Sequence, residues 1–160
     1  MNTYASTTGG QWVQTPQDGT GTAAAISEII ADCGSSANEC PLSQGYWKNH
    51  AESWPVVDGL DIGGVVYNNA ELLDILNTPP KRGNSYLIVG HQMIAALLNI
   101  ANGSDPSVIS VELDLVHAYL TGVDLLSDFD KDTGMNGVSG VLDDYNNRLL
   151  TPDCEETSGE

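Results

Sequence analysis

The sequence predicts an all-α protein: a compact, irregular bundle of about five or six helices around a central apolar helix, with an extended N-terminal arm. The segment from Ser85 to Asn102 is apolar almost all round, which is typical of a buried helix. Shorter segments on both sides of it show helical spacing of apolar residues. No series of alternating strands accompanies them, so a helical class is favoured over a mixed one.

The chain is predicted to contain one helical domain with two flanking pieces. At 160 residues, of which 41% are hydrophobic, it can bury a core without needing a metal or disulfide on grounds of size. We assign residues 1–21 to an extended arm, 22–154 to the domain and 155–160 to an acidic tail. Trp12 and Val13 stand among Thr, Gly and Gln in the arm, and we expect them to dock on another subunit; disorder is the alternative.

The first two predicted helices are defined by their capping residues. One begins near Thr22, with Thr20 or Thr22 as its cap, and ends near Cys33. Ser43 caps a second, short helix through QGYWKNHAESW, which places two tryptophans seven residues apart on one face before Pro55. The apolar stripe of the first consists of Ala25, Ile26, Ile29 and Ile30.

Two less regular stretches precede the central helix. The segment VVDGLDIGGVVYNN is rich in glycine and β-branched residues, and predicts a short strand or an irregular crossing. The segment NNAELLDILNTPP has an asparagine cap and a double-proline stop, which predict a short amphipathic helix.

Gly103 is expected to end the central helix in a left-handed conformation. Two more helices are predicted after it, one from about Pro106 to Leu120 and one from about Asn136. Their inward faces are Ile109, Leu113, Val116 and Leu120 in the first, and Val138, Val141, Leu142, Tyr145 and Leu149 in the second.

The charge balance narrows the range of partners. Five Lys and Arg stand against 22 Asp and Glu, for a net charge of −17. Such a chain repels phosphate backbones and anionic lipids, so we expect no nucleic acid partner. The longest apolar segment, Tyr86 to Ala101, falls short of the roughly 20 residues that span a bilayer, and we expect no membrane insertion.

The three cysteines suggest one disulfide. Their spacing does not fit a zinc site. Pairing Cys40 with Cys154 would close a loop of more than 100 residues; pairing Cys33 with Cys40 in a short local loop is the alternative. Either pair predicts an oxidising, extracytoplasmic setting.

The segment SDFDKDTGMNG places aspartates at alternate positions in a turn, where several carboxylates can converge on one calcium ion. Thr133 stands where an EF-hand has its invariant glycine, and Ser139 where it has a bidentate glutamate, so the predicted site is not of the EF-hand type. An acidic turn that merely faces water is the alternative. The predicted ligands are Asp128, Asp130, Asp132, Gly134 and Asn136, with Asp143 or Asp144 closing the shell.

Catalytic patterns are weak, and we expect no enzymatic activity. His50, His91 and His117 are the only histidines, and no nucleophile elbow or phosphate-binding loop accompanies them. His91 on the polar stripe of the central helix is best explained as a hydrogen-bonded structural residue.

Long motifs resemble a module found in many secreted and surface proteins of bacteria and archaea. They are CPLSQGYWKNHAESWP at 40–55, ELLDILNTPPKRGNSYLIVGHQMIAALLNIANG at 71–103, and YNN at 145–147 followed by Cys154. The chain departs from the module at Arg148, where glycine is usual, and in Cys33, the arm and the tail.

The resemblance implies a non-enzymatic, extracellular role and supports the pairing of Cys40 with Cys154. Relatives of the module are associated with calcium-containing extracellular tubes or filaments. We therefore expect a structural subunit that binds copies of itself. The alternative is a monomeric, secreted or surface-displayed binding module that recognises polysaccharide or a protein through Tyr46, Trp47 and Trp54. A secreted hydrolase using His91 is the least favoured.

Overall fold

The computed structural model divides the chain into two units, Met1–Ala37 and Asn38–Glu160. The predicted boundary at 21/22 falls inside the first unit. The structure describes residues 4–6, 12–14, 39–151 and 154.

In the first unit, two short strands pair antiparallel: β1 (Tyr4–Ser6) and β2 (Trp12–Gln14). Trp12 and Val13 therefore lie on β2, and their contact with another subunit remains a prediction. The predicted helix from Thr22 to Cys33 lies outside the described residues, as does the acidic tail.

The second unit is mostly helical. Its described part contains α1 (Gln44–Asn49), α2 (Asn69–Asn77), α3 (Ser85–Ala101), α4 (Ser110–Tyr119) and α5 (Asn136–Asn146). Two antiparallel strands, β3 (Leu60–Ile62) and β4 (Val65–Tyr67), form a small hairpin. The hairpin lies in the segment for which the sequence predicted a short strand or an irregular crossing. The all-α prediction is thus correct for the helices and omits this hairpin.

The predicted caps position two of the helices. Ser43 Oγ accepts the N–H of Tyr46 at 3.2 Å and starts α1. Asn68 starts α2 with a reciprocal capping box, in which its Oδ1 accepts the N–H of Glu71 while Glu71 Oε2 accepts the N–H of Asn68. These bonds satisfy backbone donors that the first turn of a helix leaves free.

The last helix is shorter than predicted. It ends at Asn146, and Arg148 has a positive φ of 68°, which a continuing helix does not allow. Leu149, expected on the buried face, is consequently 71% exposed.

Helix α3 contacts each of the other four described helices and also β3. Its buried residues include Val89, Ile94 and Leu98, which pack with Trp47 of α1 and Leu142 of α5 in one hydrophobic core. Among the described residues, no helix has the length and apolar content needed to cross a bilayer.

One buried side chain of α3 joins three segments. Asn99 Oδ1 accepts hydrogen bonds from Leu42 N (2.7 Å) and Trp47 Nε1 (2.9 Å). Its Nδ2 donates to Leu42 O and to Asn146 Oδ1, both at 2.9 Å. Because Asn99 is fully buried and both ends of its amide are bonded, the register of α1 and α5 against α3 is fixed at this point.

A disulfide joins Cys40 to Cys154, with Cα atoms 5.5 Å apart and 114 positions between them in sequence. The Nε–H of Arg148 donates to Pro41 O at 2.9 Å next to it. On the chain-entropy view, closing a loop of this length contributes roughly 4 to 5 kcal/mol relative to the reduced chain. Cys33 lies outside the described residues.

The turn of the β3–β4 hairpin depends on two glycines with different surroundings. Gly63 and Gly64 both have positive φ, 63° and 84°, as a two-residue hairpin loop of this kind requires. A Cβ on Gly63 would collide with the backbone carbonyl of Leu120, whereas a Cβ on Gly64 would meet nothing within 4 Å. The N–H of Gly122 also donates to Gly63 O at 3.0 Å, so the turn is held against the end of α4.

We therefore expect Gly63→Ala and Gly64→Ala to differ although they are neighbours. Gly64→Ala should cost about 1 to 2 kcal/mol, the penalty for a left-handed conformation. Gly63→Ala should cost about 2 kcal/mol more, since the backbone of Leu120 must also move. Urea unfolding of both variants with the disulfide intact measures the difference. Equal losses would contradict the close approach of Gly63 to α4.

Candidate functional site

The predicted calcium ligands lie mainly in the loop that joins α4 to α5. We call residues 124–135 the aspartate loop. Asp128, Asp130 and Asp132 lie within it, and all but the half-buried Asp130 are exposed. Gly134 follows in the same loop, and Asn136 is the first residue of α5.

The aspartate loop is held against the start of α3 by Asn84. The Nδ2 group of Asn84 donates to Asp128 O, and its Oδ1 accepts the N–H of Asp130, both at 3.2 Å. The N–H of Ser85 donates to Asp130 O at 2.8 Å. Asn84 stands in the N-cap position of α3 but makes no capping bond with its side chain. Its side chain bonds to the backbone of the aspartate loop instead.

Tyr119, the last residue of α4, binds the same loop. Its hydroxyl donates to Asp130 Oδ2 at 2.8 Å and lies 3.0 Å from Ser85 Oγ. Burial, together with the nearby Asp130 carboxylate, raises the pKa of Tyr119 above its ordinary value. The phenol is therefore a stable donor at neutral pH, and Asp130 is tied to both α3 and α4.

Part of the negative charge in the loop is balanced by backbone N–H groups. Asp130 Oδ1 accepts from Asp132 N at 3.0 Å, and Asp132 Oδ1 accepts from Gly134 N at 2.9 Å. Asp128 Oδ2 accepts from Asp124 N at 2.9 Å. The N–H of Asp132, followed by the Tyr119 hydroxyl, lowers the pKa of Asp130 below its ordinary value. The loop is thus folded with this carboxyl group ionised.

The start of the loop is anchored in the core. The side chain of Leu125 is buried against Gly90 of α3, where a Cβ would lie 2.9 Å from Leu125 Cδ1. The Tyr67 hydroxyl accepts the N–H of Leu125 at 2.8 Å and donates to Val123 O at 3.2 Å. The contacts of Leu125 with Gly90 and Tyr67 therefore fix the position of the start of the aspartate loop.

Two predicted ligands are not brought to the loop. Asp143 Oδ1 accepts from Gln92 Nε2 at 3.0 Å and from Asn147 Nδ2 at 3.1 Å. It lies seven positions beyond Asn136 on α5, a rise of roughly 10 Å, and Asp144 lies one position further. Neither carboxylate closes a shell around Asp130 in this arrangement.

Within the described residues, no group of three or more Asp, Glu, His or Cys side chains is already arranged around a point that could hold a metal ion. The three loop aspartates instead follow one another along the backbone, each with its own local hydrogen bonds. A cation at this position would have to draw the three carboxylates together.

The other predicted candidates lie in the core. His91 is buried, with Nε2 2.7 Å from Ile75 O, and burial lowers its pKa. Trp47 is buried with its Nε1 on Asn99, and Trp54 donates its Nε1–H to Trp47 O at 2.8 Å. Tyr46 stacks on His50 with ring centroids 4.3 Å apart. The two indoles therefore offer no exposed face for stacking on a sugar.

Sequence reasoning missed Asn84, Tyr119, Tyr67 and Gly90. A signal for Gly90 was present, because a glycine inside an apolar helix often marks a close approach. For the other three there was none, since each bonds to residues far away along the chain.

Comparison of the chain with protein-family models, curated proteins and solved structures finds no match. The resemblance of residues 40–154 to a surface module remains a prediction.

The docking of Asp130 predicts a pH dependence. A lowered folded-state pKa means that its contribution to stability is complete above the ordinary value of 3.8 and is lost as the pH falls through the lower folded value. Asp130→Asn should therefore be less stable than the parent chain at pH 7, and the gap should narrow at pH 3. Denaturant unfolding at both pH values measures this. Asp114→Asn, at an exposed position on α4, is the control. If the loss of unfolding free energy caused by Asp130→Asn is the same at pH 3 and pH 7, the Asp130 carboxylate is not stabilised by its contacts in the way described.

Proposed function

We propose that this protein is an extracellular structural subunit that assembles with copies of itself into a filament or tube, and that calcium bound at the aspartate loop stabilises the assembly. The observation that carries the proposal is the loop itself. Asp128, Asp130 and Asp132 are crowded into five residues of a chain whose net charge is −17, and Asn84 and Tyr119 hold that loop in place.

Repulsion between the loop carboxylates is the reason to expect a bound cation. Two like charges 4 Å apart repel by about 1 kcal/mol in water and by about 4 kcal/mol near a protein surface. Asp128 Oδ2 and Asp132 Oδ1 each accept a backbone N–H, whereas Asp128 Oδ1 and Asp132 Oδ2 accept no hydrogen bond from the residues that the structure describes. Calcium favours such oxygens, because it accepts six to eight of them with flexible geometry.

The same geometry favours weak binding. The carboxylates must converge before they can share one ion, and Asp130 must give up its bond to Tyr119 or offer its remaining lone pairs. Extracellular calcium modules work at roughly 10⁻⁴ to 10⁻³ M, and we expect this loop to bind in that range. The assembly would then respond to calcium levels found outside cells.

The disulfide between Cys40 and Cys154 supports the extracellular setting, because such bonds persist where the surroundings are oxidising. In this proposal, the helices form one compact, irregular bundle around α3 that carries the loop at one end, and the arm with Trp12 and Val13 provides a second contact between subunits.

The alternative, a monomeric binding module, is weakened by the burial of Trp47 and Trp54. Electron microscopy of the native material separates the two. Long regular polymers that loosen in a calcium chelator support the proposal, and single particles in millimolar calcium contradict it.

A charge-matched pair of variants distinguishes chelation from screening. Asp128→Asn/Asp130→Asn/Asp132→Asn removes three negative charges from the loop, and Asp58→Asn/Asp74→Asn/Asp114→Asn removes three from exposed positions elsewhere. Only the loop variant should lose the calcium response in light scattering and calcium binding in calorimetry. If both variants respond to calcium like the parent chain, the loop is not the site.

A further inference from the structure

The two backbone segments that carry the disulfide are also joined by hydrogen bonds. The Nε–H of Arg148 donates to Pro41 O at 2.9 Å, and Pro41 is the residue after Cys40. One position further, both backbone groups of Leu42 bond to the buried side chain of Asn99, at 2.7 and 2.9 Å. The position of Cys40 is therefore set by contacts in which no sulfur atom takes part.

The segment that carries Cys154 is fixed through the same arginine. The N–H of Arg148 donates to Tyr145 O at 3.0 Å, which ties Arg148 to the end of α5. Thr151 N donates to Arg148 O at 3.3 Å, and Cys154 N donates to Thr151 O at 2.9 Å. Two hydrogen bonds, each spanning three positions, thus lead from Arg148 to Cys154, while the side chain of Arg148 holds Pro41.

The backbone of Arg148 adopts a conformation that is unfavourable for a residue with a side chain. Its φ of 68° lies in the left-handed region, where glycine is the usual residue. A residue in this conformation persists only where its surroundings hold it, and such positions often have a role. The contacts give the role here, which is to hold the segment of Cys40 against the segment of Cys154.

Without the fold, a different pair of cysteines would be favoured. Cys33 and Cys40 are seven positions apart, whereas Cys40 and Cys154 are separated by 114. On the chain-entropy view, the cost of closing a loop grows with 1.5R times the logarithm of its length, so an unfolded chain closes the short loop roughly 50-fold more readily. The long loop can therefore prevail only if other contacts bring its ends together first.

We propose that the fold selects the Cys40–Cys154 pair, and that Arg148 is the residue that positions this pair for oxidation. Residues 39–151 fold with both thiols reduced, and the disulfide forms afterwards. Both cysteines are half-buried, so a small disulfide reagent can reach them. The inference goes beyond the proposed assembly and is independent of calcium.

Oxidation of the two thiols needs an acceptor of two electrons, and a small disulfide such as oxidised glutathione supplies it. The thiolate of one cysteine attacks a sulfur of oxidised glutathione, forms a mixed disulfide and releases one glutathione thiolate. The thiolate of the second cysteine then attacks the protein sulfur of the mixed disulfide, and the second glutathione leaves. The protein thiols lose two protons and two electrons, which appear in two molecules of reduced glutathione. Arg148 acts at the second attack, because it keeps the two protein sulfurs within reach of each other.

The first experiment uses the parent chain alone. Reduced protein is oxidised with glutathione in buffer and, separately, in enough urea to unfold it, and the pairs are identified by alkylation and peptide mass spectrometry. Cys40–Cys154 should be the main product in buffer, and Cys33–Cys40 the main product in urea. If Cys40–Cys154 also dominates in urea, or Cys33–Cys40 dominates in buffer, the fold does not select the pair and the inference is wrong.

The second experiment compares Arg148→Gly with Arg82→Gly. Arg82 also has a positive φ, 58°, and is exposed in the turn before α3. Both substitutions remove one positive charge and place glycine in a conformation that it adopts readily, but only Arg148→Gly removes the bond to Pro41. The equilibrium constant for forming the protein disulfide from oxidised glutathione should fall roughly tenfold in Arg148→Gly, as expected for a hydrogen bond with a charged donor. It should stay within about twofold of the parent value in Arg82→Gly.

Circular dichroism of the reduced chains completes the test. The reduced parent and both reduced variants should have the same helix content, because Asn99 still holds Leu42 in each. An unchanged equilibrium constant in Arg148→Gly, or equal falls in the two variants, would show that Arg148 does not position the pair. An unfolded reduced parent, or an unfolded reduced Arg148→Gly chain, would also overturn the inference, since folding would then not precede oxidation in the way described. All of these measurements are made without calcium, so their failure leaves the proposed assembly untouched.

Discussion

The side chain of Asn99 is the contact on which the rest of the described fold depends. Its amide bonds at once to the backbone before α1, to Trp47 on α1 and to Asn146 on α5. Each of these groups is desolvated, and losing one partner would leave the others unsatisfied at a cost of about 1 to 3 kcal/mol each. Three segments distant in sequence are therefore held in one register by a residue with no charge to titrate.

The network continues from Asn99 toward the surface. Asn146 Nδ2 donates to both Gln92 O and Gln92 Oε1, and Gln92 Nε2 donates to Asp143. This explains why Asp143 does not belong to the aspartate loop: it completes the polar seam between α3 and α5. The aspartate loop contacts the other end of α3, at Asn84 and Ser85. Ser85 precedes Asn99 by fourteen residues, which is roughly 21 Å along the helix axis. The polar network around Asn99 and the contacts with the aspartate loop thus lie at opposite ends of α3.

Local signals in the sequence were reliable where the structure is local. Ser43, Asn68 and Gly103 mark helix ends because their roles need only neighbouring residues. For the hairpin β3–β4, the sequence left a short strand and an irregular crossing as alternatives, because strands of three residues each are too short for a period-two pattern.

Tertiary contacts gave no local signal. Asn84 resembles an ordinary N-cap, and only the fold reveals that it reaches residues 44 and 46 positions away. The outward side of α4 is also apolar in part, since Val111 is 63% exposed and Leu115 is 48% exposed. Sequence periodicity reports that a helix has an apolar face, and it does not report that the opposite face is apolar too.

The bridge between Cys40 and Cys154 has a mechanical consequence. Tension applied before Cys40 and after Cys154 passes through a covalent link whose Cα atoms are 5.5 Å apart, so the helices between them carry none of it. Without that link, the 114-residue separation could extend to roughly 390 Å before the backbone became taut. In the proposed assembly, a strand of such units would stretch little under load, and its failure would begin at contacts between neighbours while each helical body stayed folded.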